Sequence, residues 1–275
     1  MAHGVASTRM YNATPAVAEA WQRLFAQVFA DLDWPVRVIP HAWPASLKAL
    51  WQRRDLVCGF MCGLPFAEHV APVVPLVAPV PAVAAYEGLP RYRSELLVRR
   101  ECGWRSLPDT FGQRFGWMVP HSQSGYQAAR LLLAPYAREA GEAGEAGRAL
   151  YAASVGPLDT PPRVLKALQG RQIDVTALDS YFLELVRKHE PAWLAGLDTI
   201  AVTPWTPIPL LVAAESLPAP DRARLVDKLC SLHEDARYAG LLEAVVVQRF
   251  VVPDVPAYDS LPLAAAGETH YPEIR

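Results

Sequence analysis

Apolar residues recur at spacings of three and four along Val17, Ala20, Trp21, Leu24, Phe25, Val28, Phe29 and Leu32, a stripe that predicts an amphipathic helix packed on a sheet. Thr14 is placed to cap it, Pro15 suits its first turn and Pro35 ends it. Val5 to Tyr11 reads as a strand before this helix, and Val36 to Ile39 as a second strand after it, followed by a helix from Ser46 to Arg53. Asp55 to Cys62 is nearly all apolar, as expected of a strand covered on both faces. It opens onto Gly63-Leu64-Pro65-Phe66, where Pro65 suits the first turn of another helix. Val73 to Val80 reads as a strand whose prolines confine it to an edge or an irregular path.

The same alternation continues. Strands are predicted at Glu95 to Arg99, Arg114 to Val119, Leu150 to Val155, Ile173 to Asp179, Thr199 to Thr203 and Leu210 to Ala214. Between and after them, helices are predicted at Ser106 to Gly112, Gly125 to Ala137, Pro161 to Leu168, Phe182 to Lys188, Asp221 to His233 and Tyr238 to Val247. Gly141 to Gly147 is a low-complexity turn, and the proline-rich tail from Val251 to Arg275 is expected to wrap the surface. Repeated strand–helix alternation predicts an α/β chain with mainly parallel sheets flanked by helices. In such sheets ligands sit outside the carboxyl ends of the strands.

Three polar junctions fall at such ends. In Trp117-Met-Val-Pro-His-Ser-Gln-Ser-Gly-Tyr126 an apolar strand runs into a short turn holding Ser122 and Ser124, both good capping residues, directly before an amphipathic helix. The first N–H groups of that helix lack intrahelical partners and stand at the positive end of its dipole, a seat for an anion; Gly125 lets another group approach the backbone. Gly63 to Phe66 and Asp179-Ser180-Tyr181 are the other two junctions, and Tyr11 ends the first strand.

Composition narrows the classes. A 275-residue chain that is 52% hydrophobic and 20% charged can bury a core, and a net charge of −2 leaves no basic footprint for nucleic acid. The longest apolar run, Val70 to Tyr86, is broken by Pro72, Pro75, Pro79 and Pro81, so no membrane segment is expected. Met1-Ala-His-Gly-Val lacks the features of a signal peptide, which implies either work in the cytoplasm or a start after a removed leader. Cys58, Cys62, Cys102 and Cys230 have no metal-ligand spacing and read as small buried hydrophobes. No metal or cofactor is expected.

Arg91-Tyr-Arg-Ser94 before an apolar strand, Ser122-Gln-Ser-Gly125 opening a helix, Ile173 to Asp179 before another and Pro207-Ile-Pro209 before a strand occur in that order. Together they resemble the phosphonate-type solute-binding proteins of ABC importers, of the type II periplasmic-binding-protein fold. The resemblance implies two α/β lobes, residues 1–94 plus 207–275 and residues 95–206, joined by two hinge crossings near Tyr92 to Glu95 and Thr203 to Pro209. These lobes close over a small phosphonate- or phosphate-like anion or organic acid. By the same resemblance Ser122, Gln123, Ser124 and Gly125, with His121 just before them, hold the anion. Tyr11, Gly63, Leu64 and Phe66 form the facing wall, Tyr92, Arg93 and Ser94 make hinge-side contacts, and Asp179 is the loop carboxylate. An ABC permease is the implied partner.

The residues themselves leave several roles open. Tyr11 and Trp205 suit a ligand wall or plain packing. Arg93 suits bidentate anion binding or a solvated position, and Asp179 a ligand acceptor or a helix cap. Leu64-Pro65-Phe66 offers few hydroxyls, which points to a less polar ligand. His121, Ser124 and Asp179 lack the G-x-S-x-G nucleophile elbow, against hydrolysis. The enzyme alternative is a cytoplasmic protein of this fold acting on a small carboxylate, as in menaquinone biosynthesis.

Overall fold

A computed structural model describes residues 3–140, 149–267 and 274. The predicted turn at Gly141 to Gly147 lies outside the described residues. In chain order the first elements are β1 (Gly4–Ser7), α1 (Pro15–Asp31), β2 (Val36–Val38), α2 (Leu47–Trp51), β3 (Leu56–Met61), α3 (Gly63–Ala67), β4 (Val73–Pro81) and β5 (Arg91–Tyr92). They are followed by β6 (Ser94–Arg99), β7 (Arg114–Gly116), a π-helical turn (Gln123–Gln127) running straight into α4 (Ala128–Ala140), β8 (Ala153–Val155), α5 (Pro161–Gln169), β9 (Val175–Asp179), α6 (Ser180–His189) and β10 (Leu197–Val202). The chain ends with β11 (Thr206–Pro207), β12 (Leu210–Ala214), α7 (Ala219–Ser231), α8 (Ala239–Ala244), β13 (Val247–Val251) and α9 (Val255–Gly267).

The chain divides into two compact units, Met1–Arg91 with Pro207–Asp259, and Tyr92–Thr206 with Ser260–Arg275. Tyr92 to Ser94 and the end of the chain therefore belong with the second unit, where the sequence reading put them in the first. The outgoing and returning passages, β5 and β11, pair as a two-stranded ribbon. A third passage lies within α9, between Asp259 and Ser260.

The first unit carries a six-stranded sheet of order β13-β4-β12-β3-β1-β2. β1 runs parallel to β2 and β3, whereas β12, β4 and β13 pair antiparallel. The predicted stripe of α1 is buried as expected, and Thr14 Oγ1 accepts from Val17 N–H at 3.3 Å. The sheet is mixed because β12 enters from the returning passage and has to run against β3.

In this unit one open reading, the edge or irregular path of β4, is decided for the irregular path, and two expectations fail. β4 is central, between β12 and β13, not an edge; its ladders shift register opposite Pro75 and near Pro81, and these irregularities absorb the missing N–H groups. The predicted helix from Tyr238 ends at Ala244 and gives way to β13, whose valines and phenylalanine bury against β4. The tail forms α9, with Pro256 tolerated in its first turn. Tyr258 and Leu261 are buried there, and the Tyr258 hydroxyl donates to Ile208 O at 2.7 Å.

The second unit carries a five-stranded sheet of order β10-β6-β9-β7-β8. β7 is parallel to β8 and β9, and β6 is antiparallel to β9 and β10. Leu96, Val98, Phe115, Leu133, Val175 and Ala177 fill its core, joined by Ile274 from the end of the chain. One edge of this sheet is clamped by an ion cluster. Asp174, just before β9, receives Arg99 from the end of β6 at 2.6 Å and Arg114 from the start of β7 at 2.7 and 2.9 Å. A single buried carboxylate thus ties three adjacent strands at the edge opposite Ser94 and Asp179.

Among the described residues no helix is long and apolar enough to cross a membrane. No group of His, Cys, Asp and Glu is arranged there to hold a metal. Cys58 and Cys62 are buried and Cys102 and Cys230 half-buried, and none of the four is in a disulfide among the described residues; burial pushes the Cys58 thiol well up, as for a small hydrophobe.

Candidate functional site

The carboxyl ends of β7 and β9 and the amino end of β6 meet at one edge of the second unit's sheet, with Ser94 directly opposite Asp179. There the chain turns from β7 through Met118 and His121 into the π-helical turn and α4. Ser122 is the cap: its Oγ accepts from Gly125 N–H at 2.9 Å, and its carbonyl accepts from Gln127 N–H at 3.0 Å, the i+5 spacing that makes the turn π-helical. Ser124 is the second residue of the turn and not a cap.

This changes which amides are on offer. Gly125 N–H is taken by Ser122, so the pair lacking an intrahelical acceptor is Gln123 and Ser124. The lack of a side chain at Gly125 is also used within the protein. A Cβ on it would stand 2.8 Å from Met118 Sδ and 3.0 Å from Met118 Cβ and Cγ, so Met118 approaches its backbone closely from that side.

Around the turn the polar groups are fixed. Ser94 Oγ donates to Ser124 O at 2.8 Å, Ser94 N–H donates to Thr203 Oγ1 at 2.8 Å, and Thr203 N–H returns to Ser94 O at 3.0 Å. Ser94 thereby holds the turn in place from β6. Asp179 caps α6, its Oδ1 accepting from Phe182 N–H at 3.0 Å. Arg93 is locked by Ser180, whose N–H donates to Arg93 O at 2.9 Å while Arg93 N–H donates to Ser180 Oγ at 3.2 Å. The Arg93 guanidinium lies over the Trp205 ring, 4.5 Å from its centroid. Trp205 therefore backs an arginine, a use that no pattern in the sequence signals because the pair is 112 residues apart by number.

Gln123 stands out. It is only 2% exposed, and its Oε1 is buried with no donor among the described residues. Buried acceptors are rarely left so, and one at a helix start is a place for a donor brought from outside. Ser122 and Ser124 are buried beside it, whereas His121 is exposed.

In the first unit Tyr11 lies in a 3-10 turn beyond β1, not at the end of a continuous strand, and is 1% exposed. Phe60 meets it edge-on at 4.8 Å between ring centroids, and Trp21 packs on Phe60 at 5.2 Å. Gly63, Leu64 and Phe66 are buried in α3 at the end of β3, with Phe66 against Tyr258 at 5.7 Å. Tyr92 is buried in β5. These side chains are packed into the body of the protein.

A cavity of about 490 Å³ lies at the clamped edge of the second unit, lined by Arg99, Arg100, Glu101, Gln169 and Arg171 among others. Its guanidiniums are already met by Asp174, Asp198 and Glu101 at 2.6 to 3.1 Å. It is a self-neutralised ion cluster, remote from the strand ends where the polar turn lies.

The chain belongs to the family described as "ABC transporter, phosphonate, periplasmic substrate-binding protein", which matches residues 11–258. Members are the solute-binding components of ABC transporters and not enzymes, so the carboxylate-enzyme alternative is set aside. A comparison with curated protein sequences finds no match. Among solved structures, the binding-protein component of an ABC phosphonate transporter from Pseudomonas aeruginosa is 16% identical with a TM-score of 0.78, covering 98% of this chain and 88% of that one. PhnD1 from Prochlorococcus marinus in complex with methylphosphonate is 14% identical, TM-score 0.76, covering 98% of each chain. MatC from Rhodopseudomonas palustris with bound malate is 13% identical, TM-score 0.59, again covering 98% of each. These likenesses establish the type II periplasmic-binding-protein fold.

Proposed function

We propose that the chain binds a small tetrahedral oxyanion of the phosphonate or phosphate kind at the start of the π-turn and α4, and delivers it to an ABC permease in the periplasm. The observation that carries this reading is the helix start itself: Ser122 spends its hydroxyl on Gly125, which leaves the Gln123 and Ser124 N–H groups at the positive end of an 18-residue helical run. The Arg93 guanidinium at the neighbouring strand end adds a full charge. Gln123 Oε1 adds an acceptor for a donor that arrives with the anion, such as a water from its hydration shell. The family's description and the methylphosphonate complex of a relative agree with this class. Tyr11, Gly63, Leu64, Phe66, Tyr92, His121 and Asp179 enter the proposal through the family resemblance alone.

Calorimetry against methylphosphonate, phosphate, phosphite, sulfate, acetate and malate tests it. One of the phosphorus oxyanions is expected to bind saturably at one site. Gln123→Met, which keeps the length but removes the unsatisfied acceptor, is expected to weaken that binding about tenfold while leaving the melting temperature unchanged or higher. Binding of carboxylates alone, or of nothing in the panel, contradicts the proposal.

A further inference from the structure

Arg93 combines three properties that rarely coincide. Its backbone is pinned on both sides by Ser180, its guanidinium is stacked on Trp205 at 4.5 Å, and among the described residues no carboxylate pairs with that guanidinium. Most of the second unit's other arginines are treated differently: Arg99, Arg100, Arg114, Arg171 and Arg187 each meet an Asp or Glu. A half-buried guanidinium without a counter-ion is costly unless something else meets its charge. The indole face supplies part of that and leaves the guanidinium's N–H donors for an oxyanion. Arg93 adjoins Ser94, which bonds to the Ser124 carbonyl, so its backbone stands at the same sheet edge as the free amides.

We infer that Trp205 is a positioning residue that holds Arg93 for the second negative charge of the ligand, so that the site selects dianionic over monoanionic tetrahedral head groups. Neutral N–H donors at a helix start hold either kind. A fixed guanidinium favours the one with more charge. This inference rests on the proposed anion site and adds its charge preference. A ligand wall at Trp205, the reading open from sequence, makes a different prediction, because loss of the ring would then weaken all ligands alike.

Methylphosphonate and methanesulfonate separate the cases, being nearly the same shape but, at about pH 8.5, dianionic and monoanionic respectively. Titration calorimetry of the full chain with each gives a preference ratio. Trp205→Ala and Arg93→Gln are each expected to lower that ratio about tenfold, the double variant no further than either single one, and Trp205→Phe to restore most of it. Circular dichroism and melting temperature are expected to match the parent. The inference is overturned if Trp205→Ala weakens both ligands equally, leaves the ratio unchanged, or adds to Arg93→Gln in the double variant. Parent protein that binds both anions equally overturns it while leaving the anion site standing; parent protein that binds neither overturns the anion site as well.

Discussion

Gly125→Val is expected to lower affinity for the bound oxyanion by about a hundredfold, while the protein still folds. The new Cβ would meet Met118 Sδ, Cγ and Cβ at 2.8 to 3.0 Å, and Met118 N–H is itself bonded to Gly125 O at 3.3 Å. Strand extension and helix start cannot both keep their places. The turn must move away from Met118, and the Gln123 and Ser124 N–H groups move with it, off the geometry that converges on one ligand. Overpacking of this kind costs roughly 1–3 kcal/mol of stability, which a chain of this size can absorb. Met118→Ala in the same chain removes two of the three contacts and is expected to return part of the affinity; isothermal titration of the three variants checks this. Equal binding by parent and Gly125→Val would show that the turn's position does not matter.

The largest stability effect is expected at Asp174, far from the ligand seat. Asp174→Ala removes the carboxylate that Arg99 and Arg114 share, leaving the Arg99 guanidinium, nine-tenths buried, with the carbonyls of Leu168 and Ile173 and a longer contact of 3.5 Å to the exposed Glu101. Breaking a buried pair in this way costs about 3–5 kcal/mol. Arg114→Ala, whose side chain is 43% exposed, is expected to cost far less. The same group sets an acid limit. Burial pushes Asp174 up, yet the hydrogen bonds from Arg114 and Arg99 outweigh it and bring it down to about 2. Its folded pKa is thus below the unfolded one, so its contribution is fully present above about pH 4 and is lost as the pH falls through about 2. Urea melts of parent and Asp174→Asn between pH 7 and about 2 are expected to converge at the acid end; parallel curves would assign the acid loss to other groups.

Much of this architecture is legible in the residues, and the failures have physical causes. The α1 stripe and its Thr14 cap, the apolar β3 and the capping role of Ser122 are local patterns, and each is observed. At β4 the prolines argue for an edge or an irregular path, and only the pairing partners show that register shifts admit it centrally. β13 and α9 bury apolar residues against distant elements, so their periods are weak taken alone. At the site, the serine-rich turn announces a helix start, but the π-turn depends on an i+5 bond that no spacing rule encodes. It leaves Gln123 and Ser124 to offer their amides, with the Gly125 N–H taken by Ser122. The stacking of Arg93 on Trp205 joins two segments that only the folded chain brings together.

Everything functional here depends on the Gln123 and Ser124 amides meeting negative charge. Amide-resolved NMR of the ¹⁵N-labelled protein during titration with methylphosphonate reads this directly. The account predicts that the Gln123 and Ser124 N–H resonances move downfield together and saturate with the calorimetric affinity. Saturable binding that leaves both resonances in place, with the shifts confined to other parts of the chain, would contradict it.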